Sequence, residues 1–337
     1  MKSVVCVEPG KLIVEERSEP EARNDWVKLR VKRVGICGTD FHTYEGLHPF
    51  TKYPRVMGHE LSGEVIEAPE GAKLAVGEQV IVNPYLPCGK CVACRKAKPN
   101  CCVNIKVLGV HTDGGMCETI YVPEEALYPT EGLSLSDAAM VEFLSVGAHG
   151  VRRGEVRPGD KVLVVGVGPI GLGAALFAAL IEGTKVAILD VDEERVSGAV
   201  ELVDGATGFM VGQNTQSDFE SFTYGDMFDV VLDATGNKTA METSIGYAAH
   251  GGSCVFISVV KGDITLSDPL FHSRELRLIG SRNATLEDFE HVISCIKAGL
   301  IPTERLNTHE VDLHDLPNKF PEWLENNRGL IKAIVNI

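Results

Sequence analysis

Three short segments of the chain carry side chains that bind metal ions or move protons. They are Gly35-Ile36-Cys37-Gly38-Thr39-Asp40-Phe41-His42, Gly58-His59-Glu60 and Glu142-Phe143-Leu144-Ser145-Val146-Gly147-Ala148-His149. Taken singly, a cysteine is usually part of a core and a His-Glu pair usually lies on a surface. Taken together, they supply a thiolate, imidazoles and carboxylates, which are ligand types that zinc prefers. The three segments therefore predict a metal centre with proton-transfer groups beside it.

A second group of metal-binding side chains lies within one loop. Cys88, Cys91 and Cys94 are separated by two residues each, and Cys102 follows eight positions after Cys94. Four thiolates close a tetrahedral zinc site with no open position, which makes such a site structural. Cys101 is adjacent to Cys102, so the spacing leaves the fourth ligand open.

Two other interpretations of this cysteine cluster are possible. The thiols could be reduced and carry no metal, or the loop could be a zinc ribbon that binds nucleic acid. The ribbon is disfavoured because the basic patch around it is small and the protein is acidic. That patch consists of Lys90, Arg95, Lys96 and Lys98.

A glycine-rich turn predicts a dinucleotide site. Gly166-Val167-Gly168-Pro169-Ile170-Gly171 fits the pattern G-x-G-x-x-G, directly after an apolar strand pattern and at the start of an apolar helix pattern. The first glycine permits the tight turn, the second lets backbone approach a pyrophosphate, and the third lets helix and strand pack closely. Pro169 suits a first helical turn. The amino terminus of that helix would then face the phosphates.

The carboxylate at the end of the next strand pattern indicates which cofactor is bound. Asp190 lies 19 residues after Gly171. A carboxylate at this place accepts hydrogen bonds from the ribose hydroxyls of NAD and repels the 2′-phosphate of NADP. We therefore expect NAD; the alternative is a glycine turn that binds no nucleotide.

The pattern of the chain changes near residue 140. The first part is rich in Gly, Pro and Cys and shows short alternating strands, as in residues 27–32, so we expect it to be mostly β. Later, strand patterns at 162–165, 185–189, 230–233, 254–258 and 276–280 alternate with helix patterns at 170–181, 193–202 and 239–249. Such alternation predicts a parallel sheet covered on both faces. A helix is expected at 286–298 and a final strand at 330–337.

Composition limits the possible partners. The 337 residues contain 32 Lys+Arg and 47 Asp+Glu, for a net charge of −15. This acidity argues against nucleic acid and against a bare anionic membrane surface. Residues 162–181 form a stretch of 20 without charge, but its glycines favour a strand, turn and buried helix over a membrane span. Without a secretory signal pattern, the ten cysteines indicate metal ligands or thiols and a cytoplasmic protein.

These motifs together resemble those of the zinc-dependent medium-chain dehydrogenases, over essentially the whole chain. The matching motifs are Cys37-Gly38-Thr39-Asp40, Gly58-His59-Glu60 and the cysteines 88, 91, 94 and 102. Residues 109–115, Ser267-Asp268-Pro269 and residues 280–285 are similar to the polyol and sugar-acid branch. The resemblance implies an α/β fold with a Rossmann doubly wound parallel sheet and a β-rich GroES-like catalytic domain. It places the GroES-like domain at 1–142, the Rossmann domain at 143–288, and the return to the catalytic domain at 289–337.

The resemblance also implies how the catalytic zinc is held. Its ligands would be Cys37, His59 and a glutamate, which is either Glu60 or Glu142; both remain open. A glutamate at the Glu142 position points away from the simple-alcohol branch. Asp40 would accept a hydrogen bond from the second nitrogen of His59 and fix its tautomer.

Further roles carry over by position. Zinc would lower the pKa of the substrate hydroxyl, Thr39 would take its proton, and His42 would pass the proton outward. Arg195 would lie near the adenosine and Lys332 would contact the pyrophosphate. Arg282 is the candidate for a substrate carboxylate, since a guanidinium binds carboxylates bidentately. Weaker candidates for lining the pocket are Tyr44, His48 and His111.

The expected activity is NAD-dependent oxidation of a secondary alcohol on a sugar acid or polyol, with L-galactonate as the leading substrate. Alternatives are a sorbitol-type polyol, L-threonine or simple-alcohol dehydrogenase, and a nucleotide-binding protein of the same fold without catalysis. We expect a homodimer or homotetramer and no nucleic-acid or membrane partner.

Overall fold

The computed structural model describes all 337 residues and divides them into two compact units. Unit 1 contains Met1–Glu142 and Ile293–Ile337, and unit 2 contains Phe143–Val292. The first boundary coincides with the one predicted from sequence. The second lies after Val292 rather than after residue 288, and both positions fall inside one helix, Leu286–Lys297.

The strands are as follows: β1 (Lys2–Glu8), β2 (Lys11–Glu16), β3 (Trp26–Gly35), β4 (Arg55–Val56), β5 (Glu60–Glu67), β6 (Gln79–Val82), β7 (Tyr85–Leu86), β8 (Lys106–Val107), β9 (Thr119–Pro123), β10 (Leu127–Pro129), β11 (Lys161–Val165), β12 (Lys185–Asp190), β13 (Thr207–Met210), β14 (Phe228–Asp233), β15 (Ala248–Phe256), β16 (Arg277–Gly280), β17 (Asn307–Asp312) and β18 (Lys332–Asn336).

The α-helices are as follows: α1 (Gly38–Tyr44), α2 (Val92–Arg95), α3 (Leu135–Gly154), α4 (Pro169–Ala179), α5 (Glu193–Leu202), α6 (Thr215–Thr223), α7 (Lys238–Ser244), α8 (Asp268–Ser273), α9 (Leu286–Lys297), α10 (Thr303–Leu306) and α11 (Leu316–Glu325). Short 3-10 helices occur at Pro99–Cys101, Glu124–Ala126 and Ile245–Tyr247.

Unit 2 is built on a six-stranded sheet with the order β13-β12-β11-β14-β15-β16. Every neighbouring pair is parallel, and this order is that of a doubly wound dinucleotide-binding fold. The predicted Rossmann sheet is thereby confirmed. Its core packs apolar residues of β11, β12, β14 and β15 against α6.

The sequence patterns missed β13, α6 and the short helix α8 of unit 2. β13 is short and contains Gly208, which weakens a strand pattern, and α6 is rich in Ser and Thr, which are poor helix formers. The helix expected to reach residue 249 ends earlier: β15 begins at Ala248. The uncharged stretch 162–181 forms most of β11, the glycine turn and α4. None of the helices combines the length and apolar character needed to cross a lipid bilayer.

Unit 1 contains a seven-stranded sheet with the path β10-β6-β5-β3-β18-β17 and with β9 paired to β3. The carboxyl-terminal strand β18 pairs antiparallel with β3, so the end of the chain completes a sheet begun by its first residues. β5 pairs with the other edge of β3, where Gly35 is opposite Glu60. This arrangement brings Glu60 and Lys332 to opposite sides of one strand.

α3 (Leu135–Gly154) is a long helix that the sequence patterns did not predict. It begins after Ser134, whose hydroxyl accepts a hydrogen bond from the Asp137 N–H at 3.1 Å. Such capping stabilises the first turn. Two candidate residues identified from sequence, Glu142 and His149, are therefore carried by one helix.

Candidate active site and metal centres

The first metal cluster forms in unit 1 where α1 and β5 begin. The ligand atoms of Cys37, His59 and Glu60 all lie within 4.8 Å of one another. His59 is 6% exposed, Glu60 is fully buried, and His59 Nδ1 has no hydrogen-bond partner. An unpartnered buried nitrogen beside a thiol and a carboxylate fits a zinc ion, which binds these three donor types.

The electrostatics of this cluster also favour a cation. Burial lowers the pKa of His59, but its electrostatic interactions with Cys37 and Asp40 outweigh burial and raise it well above its usual value. The surroundings of His59 are therefore strongly negative. A divalent cation would neutralise this excess of negative charge.

Asp40 shapes the backbone that carries the ligands. Its carboxylate accepts hydrogen bonds from the Cys37 N–H at 2.9 Å and from the Gly58 N–H at 3.3 Å. Asp40 Oδ1 lies 3.9 Å from His59 Nδ1, within ion-pair range but beyond hydrogen-bond distance. The carboxylate is instead directed to the two backbone groups, which hold together the starts of the two ligand-bearing segments.

A close backbone contact supports the segment that carries His59. Gly58 has φ +92°, and the Gly115 N–H donates to the Gly58 carbonyl at 2.9 Å. A Cβ on Gly114 would lie 2.2 Å from that carbonyl oxygen. The glycines of residues 109–115, singled out as a branch motif, are thus needed because the loop touches the backbone that carries His59.

Glu60 has a charged partner that the sequence did not suggest. Lys332 Nζ lies 2.7 Å from both carboxylate oxygens of Glu60 and donates to the Ile36 carbonyl at 3.0 Å. Lys332 is 1% exposed. The predicted contact of Lys332 with a cofactor pyrophosphate does not fit this environment, because its ammonium is enclosed in a buried ion pair.

Glu142 lies in α3, is 4% exposed, and accepts a short hydrogen bond from the Tyr85 hydroxyl. Burial raises the pKa of Glu142 to about 7, which the positive charge of His59 opposes and the negative charge of Glu60 reinforces. Glu142 is thus close enough to interact electrostatically with the cluster, although it is not one of its three grouped ligands. Tyr85 was not predicted because a lone tyrosine in a short strand gives no pattern.

The proposed proton-transfer residues are on α1. Thr39 lies in its first turn and is half-buried, whereas His42 is three residues later and exposed. Residues three apart share one face of a helix. The predicted path from a half-buried hydroxyl to an exposed imidazole is therefore geometrically possible.

The other substrate candidates have different surroundings. Arg282 is in unit 2, two positions after the end of β16, and is exposed. Tyr44 donates its hydroxyl to the Gly10 carbonyl at 2.8 Å and packs on Phe320, so its ring belongs to the packing of unit 1.

The four-cysteine cluster fits a structural zinc ion. The ligand atoms of Cys88, Cys91, Cys94 and Cys102 lie within 4.8 Å of one another, and Cys91 Sγ is 3.5 and 3.8 Å from the sulfurs of Cys94 and Cys102. Tetrahedral zinc with Zn–S bonds of about 2.3 Å requires sulfurs about 3.8 Å apart. Cys101 is exposed and outside the group.

Backbone groups prepare this cluster for metal. The N–H groups of Cys94 and Val103 lower the pKa of Cys91 to about 6. A thiol in such a setting is readily deprotonated, and the thiolate is the form that binds zinc. The loop thus supplies both the sulfur positions and part of the required charge.

The glycine turn of unit 2 joins β11 to α4. Gly166 has φ +82°, and a Cβ on Gly171 would lie 1.8 Å from the Gly166 carbonyl oxygen. A Cβ on Gly168 would meet nothing within 4 Å, so the backbone there faces open space. Pro169 and Ile170 form the first turn of α4, as expected for a phosphate-binding helix start.

Asp190 ends β12 and is directed at this turn. Its carboxylate accepts from the Val167 N–H at 2.8 Å, and from the Val191 and Asp192 N–H groups at 2.7 and 3.1 Å. It therefore also fixes the backbone that would receive the dinucleotide. Arg195 is exposed in the first turn of α5, 3.9 Å from Asp192.

Comparison with known proteins explains why these features occur together. Residues 23–132 match the family model described as the alcohol dehydrogenase GroES-like domain, and residues 169–298 match that of the zinc-binding dehydrogenases. L-galactonate-5-dehydrogenase of Escherichia coli K12 is 38% identical over 336 residues, 99% of this chain and 98% of that protein. The chain belongs to the zinc-type alcohol dehydrogenases.

Two further proteins are similar over nearly the whole chain. Sorbitol dehydrogenase of Halalkalibacterium halodurans is 32% identical over 94% of each chain. A dehydrogenase of Escherichia coli CFT073, solved in complex with NADH, is 29% identical with a TM-score of 0.93 over 100% of this chain and 99% of that one. The family's zinc and nicotinamide cofactors thus have matching residues in the two units described above.

Proposed function

We propose that this protein is a zinc- and NAD-dependent dehydrogenase that oxidises a secondary alcohol of a sugar acid or polyol. The convergence of Cys37, His59 and Glu60 at the start of α1 supports the proposal most directly. This group combines metal ligands with the hydroxyl of Thr39 two residues after a ligand. A nucleotide-binding protein without catalysis would have no need of this combination.

Each residue has a separate task in the proposed reaction. Zinc held by Cys37, His59 and a glutamate would supply a Lewis acid that lowers the pKa of the substrate hydroxyl. The Thr39 hydroxyl accepts the substrate proton while it gives its own proton towards His42 and solvent, and the carbon-bound hydrogen leaves as hydride to NAD. Glu142, held by Tyr85, is a second carboxylate for the ligand set.

NAD is proposed over NADP because Asp190 is buried and fixed at the end of β12. Its carboxylate is 7% exposed and is held by three backbone N–H groups. A fixed negative charge at this position repels a 2′-phosphate. Relatives have been solved with NADH and with NADP, so the choice rests on Asp190.

L-galactonate is the leading substrate. Relatives that act on L-galactonate and sorbitol cover nearly the whole chain. Because the protein carries a net charge of −15, an anionic substrate needs a local cation. We assign the role of this local cation to Arg282, whose guanidinium can bind a carboxylate through two hydrogen bonds.

We further propose a homodimer or homotetramer in the cytoplasm. β16 is the edge strand of the unit 2 sheet. Edge strands present unpaired backbone groups that a second copy can pair across a two-fold axis. This extends the sheet rather than leaving the edge exposed.

The test is NADH formation by the zinc-loaded protein with L-galactonate, sorbitol, L-threonine and ethanol, each with NAD and with NADP. We expect the sugar acid with NAD to be the best pair and Cys37→Ala to abolish turnover. Arg282→Gln should raise the KM for L-galactonate and leave that for sorbitol unchanged. A protein with two zinc ions per chain that oxidises no alcohol in a broad panel would favour the non-catalytic alternative.

A further inference from the structure

Two buried side chains of unit 1 meet beside the metal cluster. The Tyr85 hydroxyl donates a short hydrogen bond to the Glu142 carboxylate, and the two residues are 8% and 4% exposed. Burial raises the pKa of Tyr85 well above its usual value, and the interaction with Glu142 raises it further. Smaller electrostatic interactions with Cys37 and Glu60 act in the same direction. The phenol therefore lies near the cluster and keeps its proton.

The backbone of Tyr85 is fixed independently of Glu142. The Tyr85 N–H donates to Asn83 Oδ1 at 3.0 Å, and the Asn83 N–H donates to the Ala126 carbonyl at 2.8 Å. Strand β7 begins at Tyr85 and pairs antiparallel with β8, where Val107 is opposite Tyr85. The four-cysteine loop lies between these two strands. The place of the hydroxyl is thus set by the loop and its strands, whereas Glu142 is carried by α3.

Glu142 needs a restraint if it is not to bind the metal ion. Its carboxylate interacts electrostatically with His59 and Glu60, but it is not part of the group formed by Cys37, His59 and Glu60. Zinc binds carboxylate oxygens, and a catalytic zinc site has three protein ligands and one position for water or substrate. A second glutamate in the ligand set would fill that position.

We propose that Tyr85 is a positioning residue whose hydroxyl holds Glu142 out of the resting ligand set and so keeps one metal position open for the substrate alcohol. The hydrogen bond directs one carboxylate oxygen to the phenol instead of the metal. This inference rests on the proposed function and adds to it the group that decides between the two glutamates.

The exchanged arrangement, with Glu142 as ligand and Glu60 held away by Lys332, agrees less well with the structure. Lys332 Nζ is 2.7 Å from both oxygens of Glu60. Even so, Glu60 offers an oxygen within 4.8 Å of the ligand atoms of Cys37 and His59. The ion pair with Lys332 therefore leaves Glu60 within the cluster, while Glu142 stays outside it.

The test uses protein loaded with Co²⁺, whose absorption bands report the number and kind of ligands. Tyr85→Phe removes only the hydroxyl, so its cobalt bands should shift as Glu142 joins the ligands. In a Glu142→Gln background, the same change should leave the bands unaltered. Tyr121→Phe is the matched control, because its hydroxyl donates to the exposed Glu67 at 3.2 Å; its bands should equal those of the wild type. Bands from the four-cysteine site are common to all variants and cancel.

Activity of the zinc-loaded protein gives a second readout. Tyr85→Phe should lower kcat/KM for L-galactonate and sorbitol about 10- to 100-fold, while its zinc content stays at that of the wild type because no ligand is lost. A residue that acts only on folding would instead lower zinc content and activity together. Tyr121→Phe should keep full activity.

The cobalt bands are recorded without substrate, which separates this inference from the proposed function. If the wild type oxidises none of the alcohols but Tyr85→Phe shifts the bands only when Glu142 is present, the role of Tyr85 stands and the proposed reaction fails. Equal bands for the wild type and Tyr85→Phe, or a shift that persists with Glu142→Gln, would overturn the inference. A large shift caused by Glu142→Gln alone would make Glu142 a resting ligand and overturn it as well.

Discussion

Lys332 and Glu60 form a fully enclosed ion pair between residues 272 positions apart. The ammonium is 2.7 Å from both carboxylate oxygens, and Gly35 of the intervening strand makes the contact possible. A Cβ on Gly35 would lie 2.1 Å from Glu60 Oε2. The pair therefore requires a glycine on the strand between its partners.

Removal of the lysine should be costly for this reason. Lys332→Met leaves a buried carboxylate unpaired, and we expect the free energy of unfolding to fall by about 3–5 kcal/mol, as measured by urea denaturation. The double variant Lys332→Met/Glu60→Gln should recover much of the loss. Lys319→Met is the control, because Lys319 forms a pair of similar length, 2.8 Å, with Glu322 at the surface. Similar losses of unfolding free energy in Lys332→Met and Lys319→Met would contradict the conclusion that burial makes the Lys332–Glu60 pair important for stability.

The cysteine cluster predicts different outcomes for two adjacent residues. Cys102 is buried and grouped with three other sulfurs, whereas Cys101 is exposed outside the group. Cys102→Ser should lose one zinc per chain, measured by elemental analysis, and should unfold at a lower temperature. Cys101→Ser should retain both zinc ions. The reverse pattern would make Cys101 the fourth ligand.

Two glycines of the same turn should respond differently to an added methyl group. Gly171→Ala places a Cβ 1.8 Å from the Gly166 carbonyl oxygen, so the turn must change shape. Thermal unfolding and NADH fluorescence should show a less stable protein that binds NADH poorly.

Gly168→Ala is the matched control, since a Cβ there meets nothing within 4 Å. Without cofactor its melting temperature should equal that of the wild type, while NADH binding weakens because the methyl group faces the approaching pyrophosphate. If Gly168→Ala bound NADH normally, the pyrophosphate would not approach this backbone.

The pair of Asp288 and His149 predicts how stability depends on pH. Burial raises the pKa of Asp288, but hydrogen bonds from His149 at 2.8 Å and from Arg152 outweigh it and hold the pKa well below its usual value. A depressed carboxylate pKa stabilises the fold above the unfolded value of about 3.9, and this stabilisation is lost as the pH falls below it.

The measurement is urea unfolding between about pH 3 and 6, on either side of the unfolded pKa. The free energy of unfolding of the wild type should exceed that of Asp288→Asn at the upper end of this range, and the difference should shrink as the pH falls. An advantage that stays constant over this range would show that folding does not lower the pKa of Asp288. Zinc release in acid affects both proteins alike, so the comparison remains valid.

Much of the cofactor and zinc chemistry could be predicted from short stretches of sequence. The glycine turn from Gly166 to Gly171 and the four cysteines owe their geometry to local backbone conformation, which their spacing encodes. The alternation of strands and helices after residue 160 indicated the parallel sheet because its central strands β11, β12 and β14 are buried on both faces. Some elements and element ends were not predicted. The helix α3 was missed entirely, and β15 begins where the sequence pattern indicated the end of a helix.

The contacts that set charge in the active site depended on the tertiary structure. Glu142 meets Tyr85 across 57 positions, and Glu60 meets Lys332 across 272. Asp40 binds two backbone N–H groups instead of His59. Residue types and spacing predicted the four-cysteine metal site and the dinucleotide site, because the groups of each lie close together in the chain. The pairing of strands and the packing of α3 decided which charged groups surround the metal ligands, since they bring together residues that no local pattern connects.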